Sequence, residues 1–136
     1  MKKALTVIVL AMVAALALCL VGCGSASSLT QADIDSAKLF VGEDYYDLKD
    51  TNTARLVDTY DGKVFKVYGQ VNDIDKDSVW VDTTNYSGNL WAEPVKVYLS
   101  NDDLVKLNPK DMVTAVGTLK VANAYPWPEL HNAKLI

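Results

Sequence analysis

The chain has 136 residues, with 13 basic and 17 acidic side chains that give a formal net charge of −4. This length leaves room for one small domain. Binding of a phosphate backbone is driven by Lys and Arg side chains that release counterions, and Arg55 is the only arginine here. We therefore expect nucleic acid not to be a partner.

The N-terminal segment has the pattern of an export signal. Lys2 and Lys3 precede an uncharged apolar run, Ala4–Val21. A basic start followed by a short apolar core is typical of a secretory signal peptide. A membrane-spanning anchor is the alternative, because the run reaches the lower limit of about 18 apolar residues needed to cross a bilayer.

The end of this run favours a lipid anchor. The tetrapeptide L-V-G-C at residues 20–23 resembles the lipobox of bacterial lipoproteins. The resemblance implies a signal peptide over residues 1–22 and a lipid on Cys23; an ordinary signal peptide with an incidental cysteine is the alternative. Residues 23–29 then form a flexible tether. Two or more acyl chains anchor a protein stably, so we expect attachment to the cell membrane or outer membrane, on the extracytoplasmic face.

Residues 30–62 are predicted to form an N-terminal helical segment. Thr30 and Asp33 have capping-box spacing and begin a short helix that runs to about Phe40. The acidic stretch Glu43–Asp50 is interpreted as a connection. A second helix then runs to about Tyr60.

Residues 63–136 change to the two-residue period of β-strands. The predicted strands cover Val64–Val71, Ser78–Thr83, Pro94–Leu99, Met112–Leu119 and Leu130–Ile136, with a long loop over Thr84–Glu93 and a short helix over Ser100–Asn108. Three strands, a helix and two strands is the order of the OB-fold, a five-stranded Greek-key barrel. Gly69 and Gly117 occupy matching positions in the two strands that would close the barrel, where a glycine permits a sharp bend. We predict a mainly β fold with short helices.

Three segments carry a family resemblance. They are A-R-L-V-D-T-Y-D-G-K-V-F-K-V-Y-G-Q-V, L-N-P-K-D-M-V-T-A-V-G-T-L and L-H-N-A-K-L-I, within Ala54–Ile136. They resemble the tRNA_anti-like family of OB-fold domains, which implies the fold and occurrence in exported lipoproteins. Lys110-Asp111 stands where the family pattern leads us to expect Gly-Asp, a change in a turn. The shared residues are mainly valines and glycines that determine the fold. The name of the family is therefore no reason to expect that this chain binds tRNA.

Aromatic side chains are the candidate ligand-binding residues. OB-folds commonly bind on the face of strands two and three and on the adjoining loops, and flat rings there suit stacking on sugars, bases or peptide side chains. The candidates are Trp80, Tyr98, Tyr86, Trp91, Tyr125 and Trp127. The alternative is that these rings cover the barrel or pack against the N-terminal helices.

Catalysis and metal binding have little support. The two cysteines fall in the signal peptide and at the lipidation site, and His131 is the only histidine. The stretch Asp73–Asp77 has the D-x-D spacing of a calcium loop, but Ser78 replaces the required glycine and Thr84 the required glutamate. We expect no enzyme activity, no metal and no cofactor. His131 is expected to be a surface or hydrogen-bonded residue.

Together these patterns predict a membrane-tethered, non-enzymatic, extracytoplasmic OB-fold lipoprotein that binds a small ligand, glycan or peptide on an aromatic face. The alternative is an accessory subunit that docks another cell-envelope protein through its N-terminal helices and edge strands.

Overall fold

Residues 28–121 and 127–136 are described by the structure, a computed structural model, except for the side chains of residues 91–93. The predicted signal peptide, Cys23 and most of the predicted tether lie outside these ranges. Within them, no helix combines the length and apolar character needed to cross a membrane.

Helix α1, Gln31–Ser36, begins at the predicted capping box. The Thr30 hydroxyl accepts a hydrogen bond from the Asp33 backbone N–H, and the Asp33 carboxylate accepts one from the Thr30 N–H at 2.8 Å. The side-chain hydrogen bond from Thr30 lowers the pKa of Asp33. The helix ends before the predicted Phe40, because the chain becomes extended and strand β1, Lys38–Leu39, pairs in parallel with the next strand.

The predicted connection over Glu43–Asp50 is wrong. Helix α2, Gly42–Thr51, occupies it, and helix α3, Thr53–Tyr60, follows after one residue. Asn52 caps α3 by accepting a hydrogen bond from the Arg55 N–H at 3.0 Å. The α2 sequence has few apolar residues, and the helix is held in place by packing of Tyr45 rather than by an apolar stripe of its own.

An aromatic cluster joins these helices to the strands. Phe40, Tyr45, Tyr60 and Phe65 are buried, with ring centroids between 5.2 and 6.4 Å apart where they contact one another. Tilted and edge-on arrangements of this kind stabilise aromatic pairs beyond the area they bury. Burial raises the pKa of both Tyr45 and Tyr60 to about 12.

The remaining strands form a closed ring of pairings. They are β2 Val64–Ile74, β3 Ser78–Thr84, β4 Leu90–Tyr98, β5 Met112–Lys120 and β6 Glu129–Leu135. The six-stranded sheet has the order β1-β2-β3-β4-β6-β5, and a further β2–β5 pairing closes the ring. Strands β4 and β6 are parallel, whereas the other neighbours in the ring are antiparallel. The molecule is therefore mainly β with short helices, as predicted.

Several boundaries differ from the prediction; strand β2, for example, runs to Ile74 rather than ending at Val71. Strand β4 begins at Leu90 rather than Pro94, so the connection after Thr84 is shorter than the predicted loop. Pro94 is tolerated inside the strand because β6 pairs with β4 only from Lys96 onward. The helix between β4 and β5, α4, spans only Asn101–Leu104 and is capped as predicted by Ser100.

The strand interiors follow the predicted alternation. The residues that the two-residue period directs inward on β2 to β5, such as Val67, Val81, Val97 and Ala115, are buried. A Cβ at Gly69 would lie 2.1 Å from the Asp82 carbonyl oxygen, and one at Gly117 would lie 2.7 Å from the Leu130 side chain. Both glycines therefore permit close approach of neighbouring strands. In β6 the alternation breaks at Asn132, which has a φ of 51°.

Candidate functional site

The pairing of three strands places polar and aromatic side chains in one row. Trp80 on β3 is the partner of Lys96 on β4, and Lys96 is in turn the partner of Glu129 on β6. Tyr98 lies two residues beyond Lys96, and residues two apart on a strand point to the same face. The row therefore places aromatic, ammonium and carboxylate groups side by side on the outer surface of the closed sheet.

These side chains line a cavity of ≈ 280 Å³, which we call the aromatic-face cavity. Its lining residues are Trp80, Lys96, Tyr98, Trp127 and Glu129. The volume is near the lower end for small-molecule sites, so the cavity suits one ring or head group rather than a large ligand.

Lys96 lies over two of the rings. Its Nζ atom is 5.4 Å from the centroid of the Trp80 ring and 5.3 Å from that of Tyr98. Both distances fall within the range of cation–π attraction. In the part of the chain that the structure describes, the nearest carboxylate oxygen belongs to Asp75, 3.9 Å from Nζ. Among the described residues, the Lys96 ammonium makes this ion pair but no hydrogen bond.

Tyr98, Glu129 and His131 form a connected group beside Lys96. The Tyr98 hydroxyl donates a hydrogen bond to Glu129 Oε1 at 3.3 Å, and His131 Nε2 lies 2.8 Å from Glu129 Oε2. The Tyr98 and His131 rings stack with their centroids 4.6 Å apart. These contacts hold both the carboxylate and the Tyr98 ring in place, as is required of a preformed site.

Half of the predicted aromatic set comes together. Trp80, Tyr98 and Trp127 line the aromatic-face cavity. Tyr86 lies elsewhere: its side chain is 71 % exposed, and its hydroxyl donates a hydrogen bond to Asp44 on α2. That hydrogen bond is the main cause of the raised pKa of Tyr86.

The other predicted site residues cannot be placed. Cys23 and Tyr125 lie outside the described residues, as does the side chain of Trp91. Sequence reasoning missed Lys96 and Glu129 as members of the site. The alternation of β4 put Lys96 on the correct face, but the parallel β4–β6 pairing that brings Glu129 beside it has no local sequence signal.

The predicted D-x-D segment forms the end of β2 and the turn before β3. Asp73 Oδ1 accepts a hydrogen bond from the Ile74 N–H at 2.9 Å, and the Asp75 N–H donates to the Ser78 carbonyl at 2.8 Å. Across the described part of the chain, no three His, Cys, Asp or Glu residues are grouped closely enough to hold a metal ion.

A larger cavity of ≈ 690 Å³ lies between the start of α4 and strand β6. It is lined mainly by aliphatic and small polar residues such as Leu29, Ser100 and Ala133, with Tyr98 as its one aromatic residue. It offers volume but fewer stacking surfaces than the aromatic-face cavity. The latter is therefore the better candidate site.

Comparison with known proteins gives a structural match but no family. No protein-family model matches the chain, and no curated protein matches it significantly, so the resemblance to the tRNA_anti-like family stays a prediction. The structure is similar to a crystal structure from Klebsiella pneumoniae subsp. pneumoniae, a protein provisionally described as a nucleic acid-binding lipoprotein. The TM-score is 0.62 with 19 % sequence identity, over 79 % of this chain and 98 % of that one. The two proteins share a fold.

Proposed function

We propose that the chain is a membrane-tethered extracytoplasmic lipoprotein with an OB-fold barrel, which binds a small ligand, a glycan or a peptide in the aromatic-face cavity without catalysing a reaction. The observation that carries the proposal is the convergence of three rings on one cavity. Trp80, Tyr98 and Trp127 come from β3, β4 and the segment before β6.

The strand order supports an OB-fold. The five strands of the ring pair in the order β2-β3-β4-β6-β5 and back to β2, with α4 between β4 and β5. A five-stranded Greek-key barrel with a helix after its third strand has this arrangement. The fold shared with the Klebsiella protein adds support, because that protein is described as a lipoprotein and the lipobox-like sequence before Cys23 predicts the same anchor here.

Ligand enrichment tests the binding proposal. Purified protein is immobilised and incubated with fractions of small molecules, glycans and peptides from a membrane extract, and retained compounds are identified by mass spectrometry. We expect Trp80→Ala to reduce retention of the ligand about fivefold or more, because stacking of a base on one aromatic ring contributes about 1–3 kcal/mol.

Tyr86→Ala is the matched control, since it removes an exposed ring away from the cavity. Equal retention by wild type, Trp80→Ala and Tyr86→Ala would contradict the proposal. A large fall in melting temperature for Trp80→Ala would show that this ring is structural instead.

Nucleic acid is the second candidate ligand, favoured by the description of the Klebsiella protein. Asp75 and Glu129 stand beside Lys96 in this chain, and carboxylates repel a phosphate backbone. We therefore rank it below the other ligand classes. Fluorescence anisotropy with a labelled single-stranded oligonucleotide decides the matter: salt-sensitive binding that is lost in Trp80→Ala would favour nucleic acid.

The docking alternative is favoured by an exposed apolar patch on the opposite strands. Tyr68 on β2 and Met112 on β5 are about half exposed. Ile136 lies beside β5, because its N–H donates a hydrogen bond to the Thr114 carbonyl. In the same enrichment experiment, recovery of one envelope protein that depends on Tyr68 but not on Trp80 would favour this alternative.

A further inference from the structure

We propose that the aromatic-face cavity recognises a cationic group, an ammonium or quaternary ammonium, and that the ammonium of Lys96 occupies the cation position until the ligand displaces it. The proposal rests on the proposed function, ligand binding in this cavity, and adds the chemical class of the ligand. Lys96, Trp80 and Tyr98 carry it.

The rings already hold a cation in the geometry that the proposal needs. The Lys96 Nζ atom is 5.4 Å from the Trp80 ring centroid and 5.3 Å from that of Tyr98. The negative face of an aromatic ring attracts a cation within about 6 Å, and groups of such rings are the usual receptors for quaternary ammonium ligands. The position between these two rings is therefore shaped for an ammonium group.

The charges around that position also favour a cation. Apart from Lys96, the one charged side chain that lines the described cavity is Glu129, a carboxylate. Asp75 adds a second carboxylate, 3.9 Å from Nζ. Within the described part of the chain, His131 is the remaining titratable group in contact with this set, and it is paired with Glu129 at 2.8 Å. Without Lys96 the position would be both aromatic and acidic, which would repel an anion.

Lys96 is held loosely enough to leave. Its ammonium makes no hydrogen bond to the described residues, and its one ion pair is a 3.9 Å contact with a half-exposed carboxylate. A partly exposed pair of this kind contributes little, because water and salt screen the attraction between the two charges. A four-carbon stem lets the ammonium swing to solvent. The space next to it, bounded by Trp127 and Glu129, would receive the rest of the ligand.

Substitution of Lys96 distinguishes a cationic ligand from an anion or a polyol, because the affinity should change in opposite directions. Lys96→Met keeps the length of the side chain and removes the resident cation. The binding of a cationic ligand should become stronger because nothing competes for the rings. The binding of an anion or a polyol, for which Lys96 would be a hydrogen-bond donor, should become weaker.

The test is a titration of the purified protein with tetramethylammonium and with choline at constant ionic strength, followed by tryptophan fluorescence. Removing competition for two rings is worth about 1 kcal/mol, so we expect Lys96→Met to bind either probe about fivefold more tightly than wild type. Trp80→Ala should abolish the response. Glu129→Gln keeps a hydrogen-bond acceptor but removes a carboxylate, and it should weaken binding.

Lys49→Met is the matched control. Lys49 also lies over a ring, 5.1 Å from the centroid of Tyr46 on α2, so its substitution removes the same charge and the same kind of contact away from the cavity. The affinity of Lys49→Met for the probes should be that of wild type. If both methionine variants bind more tightly, long-range charge explains the effect and the proposal falls.

Weaker binding by Lys96→Met, or no response in any variant, overturns the inference. The proposed function fails separately, when the enrichment experiment finds no ligand that depends on Trp80. Retention of an anionic or neutral ligand that depends on both Trp80 and Lys96 would leave the proposed function standing and remove the cation class.

Discussion

At the residue scale, the absence of one side chain decides how closely β2 and β3 approach. A Cβ at Gly69 would lie 2.1 Å from the Asp82 carbonyl oxygen and 2.9 Å from the Val81 side chain. Because backbone cannot move aside as a side-chain tip can, one strand would have to shift. The need for a glycine here could be predicted from its position in the strand pattern. The atoms that a Cβ at Gly69 would meet could not, because they depend on the β2–β3 register.

Gly69→Ala should therefore lower the free energy of unfolding by about 3 kcal/mol or more, the upper range for overpacked sites. Gly88→Ala is the control: it has a φ of 75° but open space around its Cβ position, so it should cost only about 1 kcal/mol of backbone strain. Urea denaturation followed by tryptophan fluorescence gives both values. Equal losses would show that β2 and β3 can separate without penalty.

Residue-level alternation also predicted much of the candidate site. The two-residue period directs Trp80, Lys96 and Tyr98 to the outer face of their strands, and all three line the aromatic-face cavity. It gave no information on Glu129, because that residue reaches Lys96 only through a parallel pairing between strands far apart in the chain. Side-chain direction has a two-residue period that can be read locally, whereas strand pairing depends on the whole fold.

At the element scale, the helices were less predictable than the strands. Four of the ten residues of α2 are acidic, its apolar residues form no clear helical stripe, and of its side chains Tyr45 alone is fully buried. The contacts that stabilise it come from Phe40 and Tyr60, which lie outside the helix. Tertiary packing of this kind overrides weak local preference, so the sequence alone indicated a connection.

The turn that leads into β5 holds a residue in an unfavourable conformation. Lys110 has a φ of 77°, a region that glycine adopts without strain. Its N–H donates to the Val71 carbonyl at 2.7 Å, and the Val71 N–H donates to the Asp111 carbonyl at 2.8 Å, so the turn is fixed against β2. The resemblance that led us to expect Gly-Asp here thus identified a strained position.

Lys110→Gly should raise the free energy of unfolding by about 0.5–1 kcal/mol, because relief of strain exceeds the added freedom of the unfolded chain. Asn132→Gly is the matched comparison. Asn132 has a φ of 51°, but asparagine tolerates this region. Its replacement by glycine should therefore raise the free energy of unfolding by less. Thermal unfolding of the two variants beside wild type is the measurement. A larger gain at Asn132 would contradict the strain argument.

At the scale of the whole molecule, one aromatic cluster joins the helices to the ring of strands. Phe40 follows β1, Tyr45 and Tyr60 lie on α2 and α3, and Phe65 lies on β2. No cysteine occurs after residue 23, so disulfides do not stabilise this junction. The attachment of the helices depends on the burial of these rings, including two phenol groups that must remain uncharged.

Alkaline pH should therefore destabilise the protein by ionising Tyr45 and Tyr60. The pKa of Tyr45 and of Tyr60 is raised from 10.0 to about 12, in each case mainly by burial. A group whose pKa is higher in the folded state contributes its full stability below pH 10 and loses it as pH rises towards 12, since the unfolded chain gives up the proton first. Each ring should cost on the order of 1 kcal/mol per pH unit in this window.

Guanidinium unfolding at several pH values between 9 and 12, with Tyr60→Phe beside wild type, measures the effect. The phenylalanine variant should show a shallower decline because one of the two ionising groups is gone, and the same slope in both proteins would assign the alkaline transition to groups outside this cluster.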